Sequence, residues 1–391
     1  MNLKSTLLRT IAAGVYNKIP GDGREFCVTV ESAISVRAED GRYVNNCNIS
    51  AFISNLPTVK GVQPINTSLF STNEASGSTS QATNVSEAIE MGASTLLVDE
   101  DVSAANFMSR DGRMRALVMD ESITPLLYRV NGLYEKLKIS CIVVVGGVGD
   151  WLDVPHNVIK LENYIVQDAT KKARSISAQF SYGHVQYAGR GVVHRLKWEN
   201  SGSPLQRRPS NSSHLQSLEV NLLDGGGRLY LSPSDDMIDN ENMDSDSQFE
   251  DDDDAGIIDM TRCEQLLGKN WQLYGCGMCV SWLMTMAFKN PKLSVQQLIH
   301  KLEMHMNESG GIAGINQSTS AQVDLIHTLG FIYRPRKYEV AMAVNRMRGI
   351  KLEPIPPDEN DEEAAAAREA EERKRALLEL WTNRRKGKTK N

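Results

Sequence analysis

Long apolar runs are what this chain lacks first. No stretch approaches the ~18 consecutive apolar residues that a membrane-crossing helix needs. With 41% hydrophobic residues and a mean hydropathy of −0.35, the pattern fits a soluble globular protein carrying polar insertions. Cysteine is scarce too. The six, Cys27, Cys47, Cys141, Cys263, Cys276 and Cys279, are scattered, which fits a reducing compartment and gives no disulfide framework. Cys276 and Cys279 form a CxxC, but no second pair stands at zinc-site spacing. Their stretch, YGCGMCVSWLMTMAF, reads as a buried helix, so core thiols are expected. The seven histidines supply no ligand set, since His300 and His305 are too far round a helix to share a face.

Other absences divide the chain. Residues 234–255 contain no Lys or Arg at all, and such a strongly acidic, weakly apolar segment cannot offset the entropy of ordering. An acidic disordered insertion is expected over 234–257. Before it, residues 171–233 are locally basic through Lys171, Lys172, Arg174, Arg190, Arg195, Lys197, Arg207 and Arg208. Aromatic interleaving is thin there (Phe180, Tyr182, Tyr187), so a solvated extension competes with a nucleic-acid-binding surface.

What is present begins with alternation. The spacing predicts helices over 4–16, 81–92 and 122–137, strands near 26–30, 34–37, 94–98 and 140–145, and a short closing strand at 158–164. A turn-rich loop is expected over 61–75. Helix–strand alternation implies an α/β domain with a parallel core over residues 1–170. Residues 258–353 are helical in pattern and predict a small carboxyl-terminal domain. The charged helix and basic tail of 354–391 follow, acidic early and basic late as the helix dipole favours.

Within the α/β part, Ser94–Val98 is an apolar run of strand length ending in Asp99 and Glu100. Ligands bind at the carboxyl ends of strands in open parallel sheets. An Asp there suits magnesium on phosphates, and an adjacent Glu suits orienting water. An ordinary acidic surface turn would look the same in isolation. Upstream, Ser76-Gly77-Ser78 opens a helix with small residues, which lets backbone N–H groups approach a phosphate. Lys4-Ser5-Thr6 matches the end of a G-x-x-x-x-G-K-[ST] phosphate loop, with Leu3 where that pattern has glycine.

Together these motifs resemble ABC-class ATPases. DEDVSAAN (Asp99–Asn106) is similar to their magnesium Asp, catalytic Glu and following turn, and Ser76-Gly77-Ser78 with Gln81 to their signature loop. Further segments resemble one predicted ABC-class ATPase family of stand-alone proteins, to which a kinetoplastid mitochondrial RNA-editing factor belongs. They are GDGRE (Gly21–Glu25), RAEDGR (Arg37–Arg42), ISAFISNLP (Ile49–Pro57), Val143–Tyr164, Arg334–Glu339 and Ala343–Gly349. The switch histidine of most ABC ATPases is missing: Val143–Val145 lead into Gly146-Gly147-Val148-Gly149-Asp150, and the γ-phosphate sensor is unassigned.

The resemblance implies an ABC-ATPase-like parallel-sheet core, truncated at its amino end, followed by a small helical domain. It implies ATP and Mg2+ as cofactors, with two subunits sandwiching nucleotide. Lys4, Ser5 and Thr6 would contact phosphates and Ser5 and Asp99 the metal, while Glu100 orients the attacking water. Ser76, Gly77, Ser78 and Gln81 would grip the γ-phosphate from the partner side, and Ser103 and Asn106 would link the two sites. The implied activity is ATP binding and hydrolysis coupled to work on RNA or another macromolecule. Implied partners are a second copy or a full-length paralogue, with RNA a candidate and a membrane excluded; the compartment stays open between cytoplasm and mitochondrion. Two rivals remain: a non-catalytic interaction protein donating its signature face to a complete paralogue, and a reading frame whose start was assigned too late.

Overall fold

Leu8 and Ala12 turn one side of helix α1 (Leu3–Ala13) onto a small parallel sheet. The computed structural model describes residues 3–18, 20–54, 65–118, 121–180, 206–210, 218–223, 227–233, 255–265, 269–318 and 332–355. Strand β1 (Ala33–Val36) is followed by β2 (Arg42–Cys47) and β3 (Phe70–Ala75), which pair antiparallel. Helix α2 (Gly77–Glu90) then feeds β4 (Thr95–Asp99). Beyond the short helices α3 (Ala105–Met108) and α4 (Gly112–Leu117), helix α5 (Val130–Leu137) leads to β5 (Ser140–Val144). The parallel order is β1-β4-β5, with Ile34 beside Leu96 and Leu97 beside Ile142. Leu96 and Val98 are fully buried, as strands covered on both faces require.

A hairpin, β6 (Ile159–Glu162) and β7 (Ile165–Asp168), and helix α6 (Thr170–Gln179) complete this part. Both loop residues of the hairpin, Asn163 and Tyr164, have positive φ (50° and 64°), as a two-residue turn of matching twist demands. Strand β8 (Arg207–Pro209) pairs with the last strand, and β9 (Leu218–Leu223), β10 (Arg228–Pro233) and β11 (Ile257–Asp259) form an antiparallel sheet. Helices α7 (Lys269–Lys289), α8 (Val295–Glu308), α9 (Ile312–Ser318) and α10 (Lys337–Arg346) follow, then β12 (Leu352–Pro354). The chain is therefore a parallel-sheet core with helices, followed by a helical carboxyl-terminal region. Helix α7 is apolar nearly all round and lies in the core, whereas α8 starts with a reciprocal Ser294–Gln297 capping box. One apolar core runs from Ile34 and Leu96 to Leu273, Val280 and Val344.

Several sequence expectations need correction. Residues 26–30 form no strand: Thr29 donates its N–H to Gly14 O (3.0 Å) and its hydroxyl to Ile11 O (2.6 Å). The segment thus satisfies carbonyls left open at the end of α1, and Phe26 and Val28 face solvent. The loop expected up to residue 75 ends instead in β3. The helix expected over 122–137 starts only after Pro125, as a 3-10 turn (Leu126–Tyr128) followed by α5. Cys276 and Cys279 are buried core thiols, as expected. Among the described residues no helix is long and apolar enough to cross a membrane. Residues 234–254 of the acidic insertion, 181–205 of the basic extension and most of 354–391 lie outside the described residues.

Candidate nucleotide site

The carboxyl ends of β4 and β5 bring Lys4, Asp99, Glu100 and the Gly146-Gly147 turn to one edge of the sheet. Lys4 Nζ donates to Val145 O at 3.0 Å. The Glu100 carboxylate accepts the Gly146 N–H and, at 3.1 Å, the Gly147 N–H. A Cβ on Gly146 would lie 2.8 Å from Lys4 Nζ and 3.7 Å from Glu100 Oε2. A side chain there would push the Lys4 ammonium aside, while its distance from the carboxylate would be ordinary contact. Backbone groups of Val145, Gly146 and Gly147, where the sequence lacks a switch histidine, therefore contact both charged side chains. Asp150, further along, is buried in a short 3-10 turn.

Asp99 is buried and caps the 3-10 turn Glu100–Val102, with its Oδ1 accepting the Asp101 N–H at 3.2 Å. Ser5 is buried in the first turn of α1, while Thr6 is exposed and its carbonyl accepts the Thr10 hydroxyl at 2.9 Å. One carboxylate and one hydroxyl are a donor set of the kind magnesium uses when phosphates and water complete its shell. Lys4 beside a glycine turn is likewise a fit for phosphate oxygens.

The residues that resemble a signature loop occupy a second place. Ser76 is the residue before α2, and its hydroxyl bonds that of Thr79 at 3.0 Å. Ser78 Oγ donates to Asn106 Oδ1. Gln81, fully buried, donates to Ser103 Oγ (2.8 Å) and accepts the Ala104 N–H (2.9 Å). Ser103 in turn donates to Asp99 O at 2.7 Å. A continuous hydrogen-bonded path thus runs from the signature helix through Ser103 to the strand end bearing Asp99 and Glu100. Ser76, Gly77, Ser78, Ser103 and Asn106 line an open cleft of about 500 Å³.

Three residues of this cleft, Arg37, Asp40 and Arg262, were missed as site residues. RAEDGR stands out in the sequence only by its resemblance, and Arg262 is too distant in sequence to give any signal. Behind the cleft, the far side of α2 carries a buried ionic belt. Glu39 accepts from Arg346 (2.7 and 3.0 Å) and from Asn84 (3.0 Å), and Arg42 pairs with Glu87. Arg207 binds Glu90 (3.2 Å) and Asn345 Oδ1 (2.8 Å). Burial works against the Arg207 and Arg346 charges, but adjacent Glu90 and Glu39 outweigh it and hold both guanidiniums above their usual pKa. Arg207 and Arg346 are therefore structural, tied into the core rather than offered to a nucleic acid.

Residues 2–195 match the family model described as ABC_ATPase, P-loop domain, and residues 251–353 match the MRB1590 C-terminal domain. The uncharacterized protein MJ1628 of Methanocaldococcus jannaschii is 34% identical over 105 residues, covering 27% of this chain and 22% of that protein. The matched stretch thus spans about a fifth of that relative.

Proposed function

We propose, for a chain that belongs to the ABC-class ATPase family, that it binds ATP between two subunits and couples hydrolysis to work on a macromolecule, RNA being the candidate. The meeting of Lys4, on Val145 O, and Glu100, on the Gly146 and Gly147 amides, carries the reading, because it sets a phosphate-type cation and a water-orienting base at the ligand-binding end of a parallel sheet. RNA is supported by the match to the MRB1590 C-terminal domain and the resemblance to an RNA-editing factor.

In this reading Lys4 neutralises the β- and γ-phosphates, Ser5 and Asp99 hold magnesium, and Thr6 contacts phosphate from the same helix. The metal supplies charge neutralisation on the phosphate oxygens. Glu100, released from the glycine amides, orients the attacking water. Phosphoryl transfer needs little covalent help from protein, so positioning of this kind is most of the catalysis. Ser76, Gly77, Ser78 and Gln81 grip the terminal phosphate held by the other copy. The Gln81–Ser103–Asp99 path connects that grip to the carboxylates, with Ser78–Asn106 beside it.

Leu3 favours a second reading, in which the chain donates its signature face to a complete paralogue and does not itself turn over. Co-sedimentation with a full-length family member separates the readings. Both expect association that depends on ATP and is lost in Ser76→Arg. Only the first expects turnover that Glu100→Gln abolishes. Equal association of both forms with and without ATP would end both.

A further inference from the structure

Among the described residues lining the signature cleft, Arg262 alone comes from the carboxyl-terminal family segment. We propose that Arg262 is a phosphate-contacting residue of this cleft, binding the terminal phosphate of a nucleoside triphosphate that a second copy presents to Ser76–Ser78. The inference rests on the sandwich reading above and adds to it a contact from outside the ATPase segment.

Arg262 is placed by a pinned turn. Asp259 Oδ1 accepts the Thr261 N–H (2.9 Å) and hydroxyl (2.6 Å), and the Cys263 N–H returns to Met260 O at 3.0 Å. Immediately beyond, Glu264 pairs with Arg37 at 2.9 Å and with Arg9 at 3.0 Å. Gln265 Oε1 accepts the Ser35 N–H of β1 at 2.9 Å. The backbone beside Arg262 is thus fixed to the sheet, while its side chain is 55% exposed.

Its guanidinium is only lightly engaged. Nη1 donates to Asp40 O at 2.9 Å, and the Asp40 carboxylate, 70% exposed, stands 3.9 Å away. The cleft's other arginine, Arg37, already has its charge matched by Glu264. Asp40 Oδ1 lies 2.9 Å from where a Cβ on Gly77 would be, beside the first turn of α2, the end of a helix that favours negative charge. A phosphate entering there meets the same helix end and the same guanidinium. It is also the better ligand, with more charge and a geometry matched to the arginine fork. Nucleotide in the cleft would then be held jointly by the ATPase segment and the carboxyl-terminal segment.

The test is calorimetric titration of the full chain with inorganic triphosphate, for wild type, Arg262→Ala, Arg262→Lys and Ser76→Arg, each compared on a Lys4→Ala background so that triphosphate held by Lys4 is separated from binding in the cleft. A lost charge-assisted contact predicts about tenfold weaker binding in Arg262→Ala, with partial recovery in Arg262→Lys, which keeps the charge and loses the fork. An unchanged thermal midpoint in Arg262→Lys confirms that the fold is not what is being read. Equal affinity of wild type and Arg262→Ala overturns the proposal, as does absence of binding to wild type. If Ser76→Arg abolishes binding while Arg262→Ala leaves it intact, the arginine contact fails and the signature reading stands. If neither substitution matters, both fall.

Discussion

Arg346, at the end of α10, closes on Glu39 just after β1: Nε donates to Oε2 at 3.0 Å and Nη2 to Oε1 at 2.7 Å. Arg346 Nη2 also reaches Asn84 Oδ1 at 2.9 Å, on the buried side of the signature helix. The carboxyl-terminal region is therefore joined to the helix whose other end forms the cleft. Well-packed hydrophobic contacts would hold two segments together as firmly, since desolvating ions is costly. What the ions add is a specific meeting of partners, Glu39, Asn84 and Arg346, each bonded to the other two.

That arrangement predicts an acid-sensitive contribution to stability. Burial alone would raise the Glu39 pKa, but Arg346 more than reverses this and holds the carboxyl below its usual 4.5. A depressed carboxylate contributes stability that is present above the unfolded pKa and lost as pH falls through the folded one. Glu39→Gln is expected to cost about 3–5 kcal/mol at pH 7, because it strands a buried guanidinium. The gap from wild type should narrow below about pH 4.5. Urea midpoints measured from pH 7 down to 3 check both, and a gap independent of pH would remove Glu39 ionisation from the explanation.

The parallel core was legible because its signals are local. Leu96–Val98 is a short apolar run ending in two carboxylates, and Gly77–Glu90 lies between turn residues. The antiparallel pair β2–β3 was not legible, since Arg42, Asn45 and Asn46 make β2 polar and their partners lie far off in sequence, as Ile350 O does for the Asn45 amide at 2.8 Å. Of the site, the motif residues were found where type and spacing carry the chemistry. The Gly146 and Gly147 contacts to Glu100 use backbone N–H groups, which every residue but proline has, so no side-chain pattern announces them. Arg262 and Arg207 depend on contacts between distant segments, and in sequence both read as ordinary surface charge.

The Glu100 contact gives a prediction that needs no nucleotide. With the carboxylate removed in Glu100→Ala, the exposed Gly146 and Gly147 amides lose their acceptor. Their hydrogen exchange should accelerate about tenfold, in line with a hydrogen bond to a charged group, while core amides of β4 keep their rates. Unchanged exchange at both glycines would mean that the contact is not held in solution.

Thiol chemistry offers a third check. Burial pushes the Cys47 and Cys141 thiols up to about 12 and raises Cys276 and Cys279 as well. Thiolate is the reactive form, so buried Cys47, Cys276 and Cys279 should resist a disulfide reagent at pH 8 until the protein unfolds, whereas half-buried Cys27 reacts first and Cys141, half-buried but with its thiol raised, follows more slowly. Adding a zinc chelator should leave the melting temperature unchanged. Rapid labelling of Cys276 in native protein would contradict its place in the core.

The path from the signature helix to the strand end makes Gln81 the most informative single position. Its amide donates to Ser103 Oγ and accepts from the Ala104 N–H, and Ser103 holds Asp99 O. Gln81→Glu keeps the acceptor for Ala104 and loses the donor to Ser103; Gln81→Ala loses both and leaves a buried N–H unpaired, at a cost of about 1–3 kcal/mol. If the two sites communicate through this amide, both variants should lower the ATP dependence of subunit association; both should also lower the urea midpoint, Gln81→Glu through a charge placed in a fully buried position. Sedimentation with and without ATP, beside the denaturation curves, separates coupling from stability. A Gln81→Glu protein that matches wild type in ATP-dependent association would show that the Ser103 contact carries no coupling and that Gln81 serves only to satisfy the turn.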